Sequence, residues 1–199
     1  MAIAPRHRRF TKQVFLRLEY VDELIAVRQA QHGGGQGAPP LLADGVRVGA
    51  SVNRSIVVMI SALLQSYVED VFHRSAKRVF PSFQNDAEAY GRYWRQMKNW
   101  GNPSDENITH LFLKIGVTDI LDGLSWRGFS NQSVRTKLKT LNLVRNQIAH
   151  GKQHLQLNQQ PYSLSLQEAK TFRNFTHNFG ERFEAHAVEQ ARRSRILGG

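Results

Sequence analysis

Apolar residues recur at three- and four-residue steps along most of the chain, the period of helices that bury one face. Phe10, Val14, Leu18, Val21 and Ile25 predict an amphipathic helix over 8–30. Ile56, Val57, Ile60, Leu63, Leu64, Tyr67, Val68, Val71 and Phe72 form a broader stripe. A stripe that wide predicts a helix over 53–80 buried on most of its surface and closed by Pro81. Residues 83–99, with Phe83, Tyr90, Tyr93 and Trp94, predict another helix. Ser104 ahead of Glu106 and Asn107 marks a helix start, with acidic residues in the first turn and an end near Ile115. Residues 119–128 have room for a short helix and a loop. Asn131 or Ser133 caps the next helix, which stops at His150 before Gly151. A loop over 151–163 comes next. Phe172, Phe175, Phe179 and Phe183 then line the core face of a last helix over about 165–190. No stretch alternates as a strand does, and no segment repeats. The expected fold is an all-α bundle of about six helices.

The punctuation between helices sets the domain plan. Residues 1–31 carry the N-terminal amphipathic helix. Residues 32–50, rich in Gly and Pro, read as a flexible linker. No Lys-Ser/Thr follows these glycines and no strand precedes them, so a phosphate-binding Gly loop is the poorer reading. Residues 51–190 form the helical domain, and 191–199 a frayed basic tail.

Composition narrows the chemistry. With 199 residues the chain buries a core without staples. It has no cysteine, which excludes disulfides, thiolate metal sites and cysteine nucleophiles. The longest apolar stretch, Ile56 to Leu64, is broken by Ser61 and falls far short of the roughly 18–20 residues of a membrane span. The first ten residues have basic groups but no apolar run behind them, unlike a secretory signal. A cytoplasmic protein with no membrane partner is expected. A net charge of +11 points to an anionic partner, nucleic acid before anionic membrane.

One segment gives that charge a place. In Leu138-Lys-Thr-Leu-Asn-Leu-Val-Arg145-Asn146-Gln-Ile-Ala-His150-Gly151, an arginine and a histidine lie five apart at a helix end. Spacing alone is weak, because chance supplies roughly one such pair in a chain of this composition. The surroundings add weight. Leu138, Leu141, Val144 and Ile148 would anchor the helix, while Asn142, Asn146 and His150 share a polar stripe. On an ideal helix Arg145 and His150 stand about 140° apart. Between Asp122 and Glu168 there is no acidic residue, whereas Arg127, Arg135, Lys137, Lys139, Arg145 and Lys152 all fall there. A phosphodiester would be drawn to this stretch.

The residue types suit RNA cleavage. Attack by the 2′-hydroxyl on the adjacent phosphorus needs a base, a positive charge for the phosphorane oxygens and an acid for the leaving 5′ oxygen. Histidine exchanges protons near neutral pH, and arginine holds two phosphate oxygens at once.

Arg145-Asn146-Gln147-Ile148-Ala149-His150 resembles the Arg-polar-x-x-x-His motif of HEPN domains, which are compact helical bundles. The apolar helix with Ser66-Tyr67-Val68-Glu69-Asp70, followed by the Asn102-Pro103 turn, is most similar to the RiboL-PSP-HEPN and related branches. The resemblance spans about 50–185 and leaves the first 50 residues unmatched. It implies a metal-independent endoribonuclease with no cofactor, acting as a homodimer on RNA. Such proteins work in toxin–antitoxin systems or phage defence, with an antitoxin or associated defence protein as partner. Arg145 and His150 match the motif directly, Asn146 its polar position, and Glu69 an acidic position on the earlier helix. Arg135, Lys137, Lys139 and Lys152 would hold RNA. Some members only bind RNA or a nucleotide, which is the alternative reading.

Plainer readings stand beside these. Arg145 can be a solvated helix residue and His150 a cap before Gly151. His150 and His154 suggest a metal only weakly, with no carboxylate nearby, so no metal site is expected. Glu69, Asp70 and His73 read as a solvated strip or a local ion pair. Tyr90, Arg92, Tyr93, Trp94 and Arg95 read as packing with extended arginine stems before a base-stacking surface. A helical adaptor for an acidic protein would use the charge but give the motif no role.

Overall fold

The computed structural model describes the backbone of residues 5–31, 39–43, 45–97 and 99–197, and the side chains of 17–31, 39–43, 45–97 and 99–194. Seven helices are found among these residues: α1 (Pro5–Ala30), α2 (Ala50–Val79), α3 (Ser82–Asn85), α4 (Ala87–Arg95), α5 (Asp105–Leu113), α6 (Asn131–Ala149) and α7 (Leu166–Leu197). A two-stranded antiparallel hairpin, β1 (Leu155–Leu157) and β2 (Gln160–Tyr162), lies between α6 and α7. The all-α expectation holds, with departures in detail.

The helix expected over 83–99 is two helices. Asp86 turns out of helical geometry (φ −124°, ψ 89°), and its carboxylate accepts from the Ala89 N–H to start α4 afresh. Residues 119–128 make turns, with no helix. The loop over 151–163 contains the hairpin, turned at Asn158 and Gln159, both at positive φ. The last helix continues to Leu197, past the expected start of a frayed tail. Phe10, Val14, the glycine-rich 32–38 and the outermost basic residues, Arg6 to Arg9 and Arg195, lie outside the side chains described. Over 39–49 the expected connector is a closed turn, with Leu41 bridged to Arg47.

The chain divides into two compact units. Unit 1 takes Met1–Leu63 and Thr140–Asn178; unit 2 takes Leu64–Lys139 and Phe179–Gly199. Helices α2, α6 and α7 each contribute to both. In unit 1 the core is Leu18, Val21 and Ile25 of α1, Ile56, Val57 and Ile60 of α2, Leu141 and Val144 of α6, and Phe172 and Phe175 of α7. Arg173 forks onto both carboxylate oxygens of Asp22, at 2.8 and 2.6 Å, tying α7 to α1. In unit 2 the core is aromatic. Phe72 meets Phe112 edge-on at 5.4 Å, and Phe112 meets Phe183 at 5.6 Å. Each such ring contributes roughly 1.5–3 kcal/mol by leaving water. The buried Tyr67 hydroxyl donates to the Gly180 carbonyl at 2.7 Å.

Helix α2 corrects one expectation. Ser61 interrupts the apolar run without ending the helix, so α2 is long and apolar enough, by length and composition, to cross a membrane. Half of that window is buried within the protein, as in the core helix of a soluble domain.

Candidate functional site

Helix α6 carries the Arg–His motif, and its last turn is fixed from three directions. Leu141 and Val144 are buried and hold the helix in the core of unit 1, while Ile148 is half-buried. The helix ends in a Schellman motif: the Gly151 N–H bonds the Ile148 carbonyl and the Lys152 N–H bonds the Gln147 carbonyl, at 3.0 and 2.9 Å. Gly151 sits at φ +70°, the left-handed geometry this ending requires. His150 is therefore the last residue before the chain reverses.

Two side chains hold the segment leading from α6 into the hairpin. The Gln147 amide pairs with the backbone of Gln156 in β1, donating to its carbonyl at 2.7 Å and accepting from its N–H at 2.9 Å. Arg54 of α2 donates to the carbonyls of Lys152 (2.9 Å) and Gln153. The sequence pattern missed both roles. Gln147 lies inside the motif and reads as filler, and Arg54 lies about 100 residues away from its acceptors.

Within the motif, Arg145 is half-buried and its Nη1 donates to Asn146 Oδ1 at 3.2 Å. His150 is exposed, and its imidazole has no hydrogen-bond partner among the described residues. Its backbone N–H bonds the Asn146 carbonyl at 3.0 Å. The end of α6 thus carries a cation held by Asn146 and an exposed imidazole. They are of the types that a phosphoryl transesterification uses for charge stabilisation and for one of its two proton transfers.

The other expected residues are scattered. Lys152 is exposed beside the motif, in unit 1. Arg135, Lys137 and Lys139 belong to unit 2. Lys139 is exposed. Arg135 pairs with Asp119 at 2.6 Å and with Asn131 at 3.2 Å, so an acid from outside the acid-free stretch folds onto it. Glu69, also in unit 2, accepts from the Trp100 indole at 2.9 Å and from Gln65 at 3.4 Å.

His73 is no solvated strip residue. Its Nδ1 bonds the Tyr90 hydroxyl and its ring meets Trp94 edge-on at 4.3 Å. Burial pushes its pKa below the ordinary histidine value, against the opposing pull of Asp70 and Glu69. Tyr90, Tyr93 and Trp94 are half-buried against Phe72, Phe80 and Phe83, as packing predicts, while Arg92 and Arg95 stay exposed. Among the described residues no group of three His, Asp or Glu gathers as metal ligands would.

Comparison with known proteins agrees with the helical order. No curated protein matches the chain, and no solved structure does. The family profile of RiboL-PSP-HEPN matches residues 41–189, from the closed turn before α2 into α7. The match covers most of the chain, including α6 and its Schellman ending, and the chain belongs to the RiboL-PSP-HEPN family.

Proposed function

We propose that this protein is a metal-independent endoribonuclease. Family membership supports the coarser reading, a nuclease or RNA-binding module. The observation that carries the finer one is His150, exposed at the end of α6, five residues after an arginine held by Asn146. In this reading His150 takes or gives the proton, Arg145 clamps the phosphate as charge builds on it, and Asn146 orients the guanidinium. Lys152 adds attraction for the RNA backbone. One motif histidine per chain leaves one proton transfer unassigned, and a second copy in a homodimer would supply it. A toxin–antitoxin or phage-defence setting in the cytoplasm belongs to the same proposal.

The test is cleavage of RNA in excess EDTA by the wild type, His150→Ala and Arg145→Ala. Wild-type cleavage leaving 2′,3′-cyclic phosphate ends, reduced about 10²–10⁴-fold in the His150 variant, is expected. Binding without cleavage across many RNAs would instead mark a non-catalytic module. Activity that needs Mg²⁺ and vanishes in EDTA would overturn the metal-free mechanism.

A further inference from the structure

A cleft of about 760 Å³ opens in unit 1, with neither Arg145 nor His150 in its lining, walled by the turn before α2, the first turns of α2, the hairpin and the start of α7. Its volume lies within the range of small-molecule sites. Four cations line it: Arg28, Arg47, Arg54 and Lys170. No Asp or Glu lines it among the described residues. They come from four separate parts of the chain, and Arg28 lies before the first residue matched by the family profile.

What surrounds these cations is decisive. Arg28 is only 3% exposed. Its Nη2 donates to the Val48 carbonyl at 2.9 Å, and its Nε is buried with no acceptor. A buried guanidinium is ordinarily matched by an anion, and Arg28 has none among the described residues. The guanidinium lies flat against Gly49, where an added Cβ would come within 2.2 Å of Nε. Among the described residues Arg47 and Arg54 are likewise engaged only by neutral carbonyls, those of Pro39 and of Lys152 and Gln153. Lys170 is half-exposed and makes no ion pair among the described residues. This contrasts with Arg173, which the same unit neutralises with Asp22.

A second group points the same way. Asn53 is 4% exposed; its Nδ2 donates to the Leu164 carbonyl at 2.9 Å, and its Oδ1 is buried with no donor. Among the described residues the cleft thus lacks both an anion for its cations and a donor for its amide oxygen. Val46, Leu155 and Leu164 give it apolar walls. We propose that this cleft binds a small organic phosphomonoester, its phosphate held by the arginines and its hydroxyl- or amine-bearing body against Asn53 and the apolar walls. Guanidinium forks match phosphate oxygens, and four cations exceed what one carboxylate balances.

Calorimetric titration of the full chain tests this, with adenosine 5′-monophosphate and ribose 5-phosphate as probes. Adenosine, inorganic phosphate and a 5′-phosphorylated RNA oligomer serve as comparisons. One or both phosphomonoesters should bind more tightly than inorganic phosphate or adenosine. Arg47→Ala and Lys170→Ala, which remove solvent-accessible cations without emptying the core, should each weaken binding about tenfold or more. Arg28→Gln should abolish it; should that variant fail to fold, the Arg47→Ala/Lys170→Ala pair with an unchanged melting curve still decides. His150→Ala should bind the probes as the wild type does, which separates this site from RNA cleavage. No binding at millimolar concentration, binding indifferent to Arg47 and Lys170, adenosine binding as tightly as its monophosphate, or binding of the oligomer alone would each overturn the proposal.

Discussion

The arginines of the cleft in unit 1 and the arginines of unit 2 are held in opposite ways, although unit 1 also pairs Arg173 with Asp22. Unit 1 has twelve Lys and Arg against five Asp and Glu, a net +7; unit 2 has fifteen against eleven, a net +4. In unit 2 the guanidiniums of Arg74, Arg135, Arg182 and Arg193 meet carboxylates, those of Glu184, Asp119, Glu181 and Glu189. In unit 1 Arg28, Arg47 and Arg54 meet backbone carbonyls. A carbonyl orients a guanidinium and leaves its charge standing, whereas a carboxylate cancels it. The charges of those unit 2 arginines are thus largely balanced, while the cations of the unit 1 cleft keep theirs. The exposed His150 lies in unit 1; the half-buried His73 and His186, whose pKa values burial pushes down, lie in unit 2.

That contrast is easiest to break in the aromatic core. Phe183→Ala removes a fully buried ring that touches Phe112, Tyr67 and Phe179. It should cost about 3–5 kcal/mol, a fall in melting temperature of roughly 6–20 °C. His150→Ala should leave melting within about 0.5 kcal/mol of the wild type, since an exposed ring without partners holds nothing together. Destabilisation of similar size in both variants would erase the distinction between the aromatic core of unit 2 and the exposed end of α6.

Next in size is Gly151→Ala. An added Cβ meets nothing within 4 Å, so the strain comes from the positive φ alone. Thermal denaturation should register about 1–2 kcal/mol, and hydrogen exchange should quicken at Gly151 and Lys152. An unchanged curve would mean that the α6 ending relaxes into another geometry.

Acid should weaken unit 2. His73 and His186 bind protons less readily folded than unfolded, so their contribution to stability is complete above the ordinary value of 6.5. It declines as pH falls below that value toward the lowered native pKa values. Urea midpoints at stepped pH, with exchange followed at α4 and the C-terminal half of α7, should fall from pH 7.5 to 5.5. A midpoint that rises on acidification would contradict the buried placement of both rings.

The smallest effect belongs to surface pairs. Arg92→Ala breaks an exposed i,i+4 pair with Glu88 and should move stability by no more than about 0.5 kcal/mol. A larger loss would show that unit 2 depends on its surface charges as well as its rings.

The legible parts of this molecule were local. The stripe of α2, the four phenylalanines of α7 and the glycine that stops α6 all declare themselves within a few turns of chain. The hairpin did not, because three-residue strands are too short to show a period, and Gln147 pins β1 through a side chain. The acid-free stretch exaggerated the charge available along α6. Charge counted along a chain ignores what folds onto it, and Asp119 lies 16 residues from Arg135. The cleft was illegible for the same reason: positions 28, 47, 54 and 170 share no pattern until the backbone gathers them. The motif residues lay in plain view, yet sequence could not say that Asn146 would join Arg145 or that His150 would be left open to solvent.

The interleaving of the two units has a consequence for synthesis. The chain passes between them within α2, within α6 and within α7, so neither unit is one contiguous stretch. Unit 1 lacks Phe172 and Phe175 until α7 begins to emerge from the ribosome, and unit 2 lacks Phe179 and Phe183 until α7 has emerged further. At about 5–20 residues per second, the nascent chain spends several seconds with the apolar stripe of α2 made and its α7 partners missing.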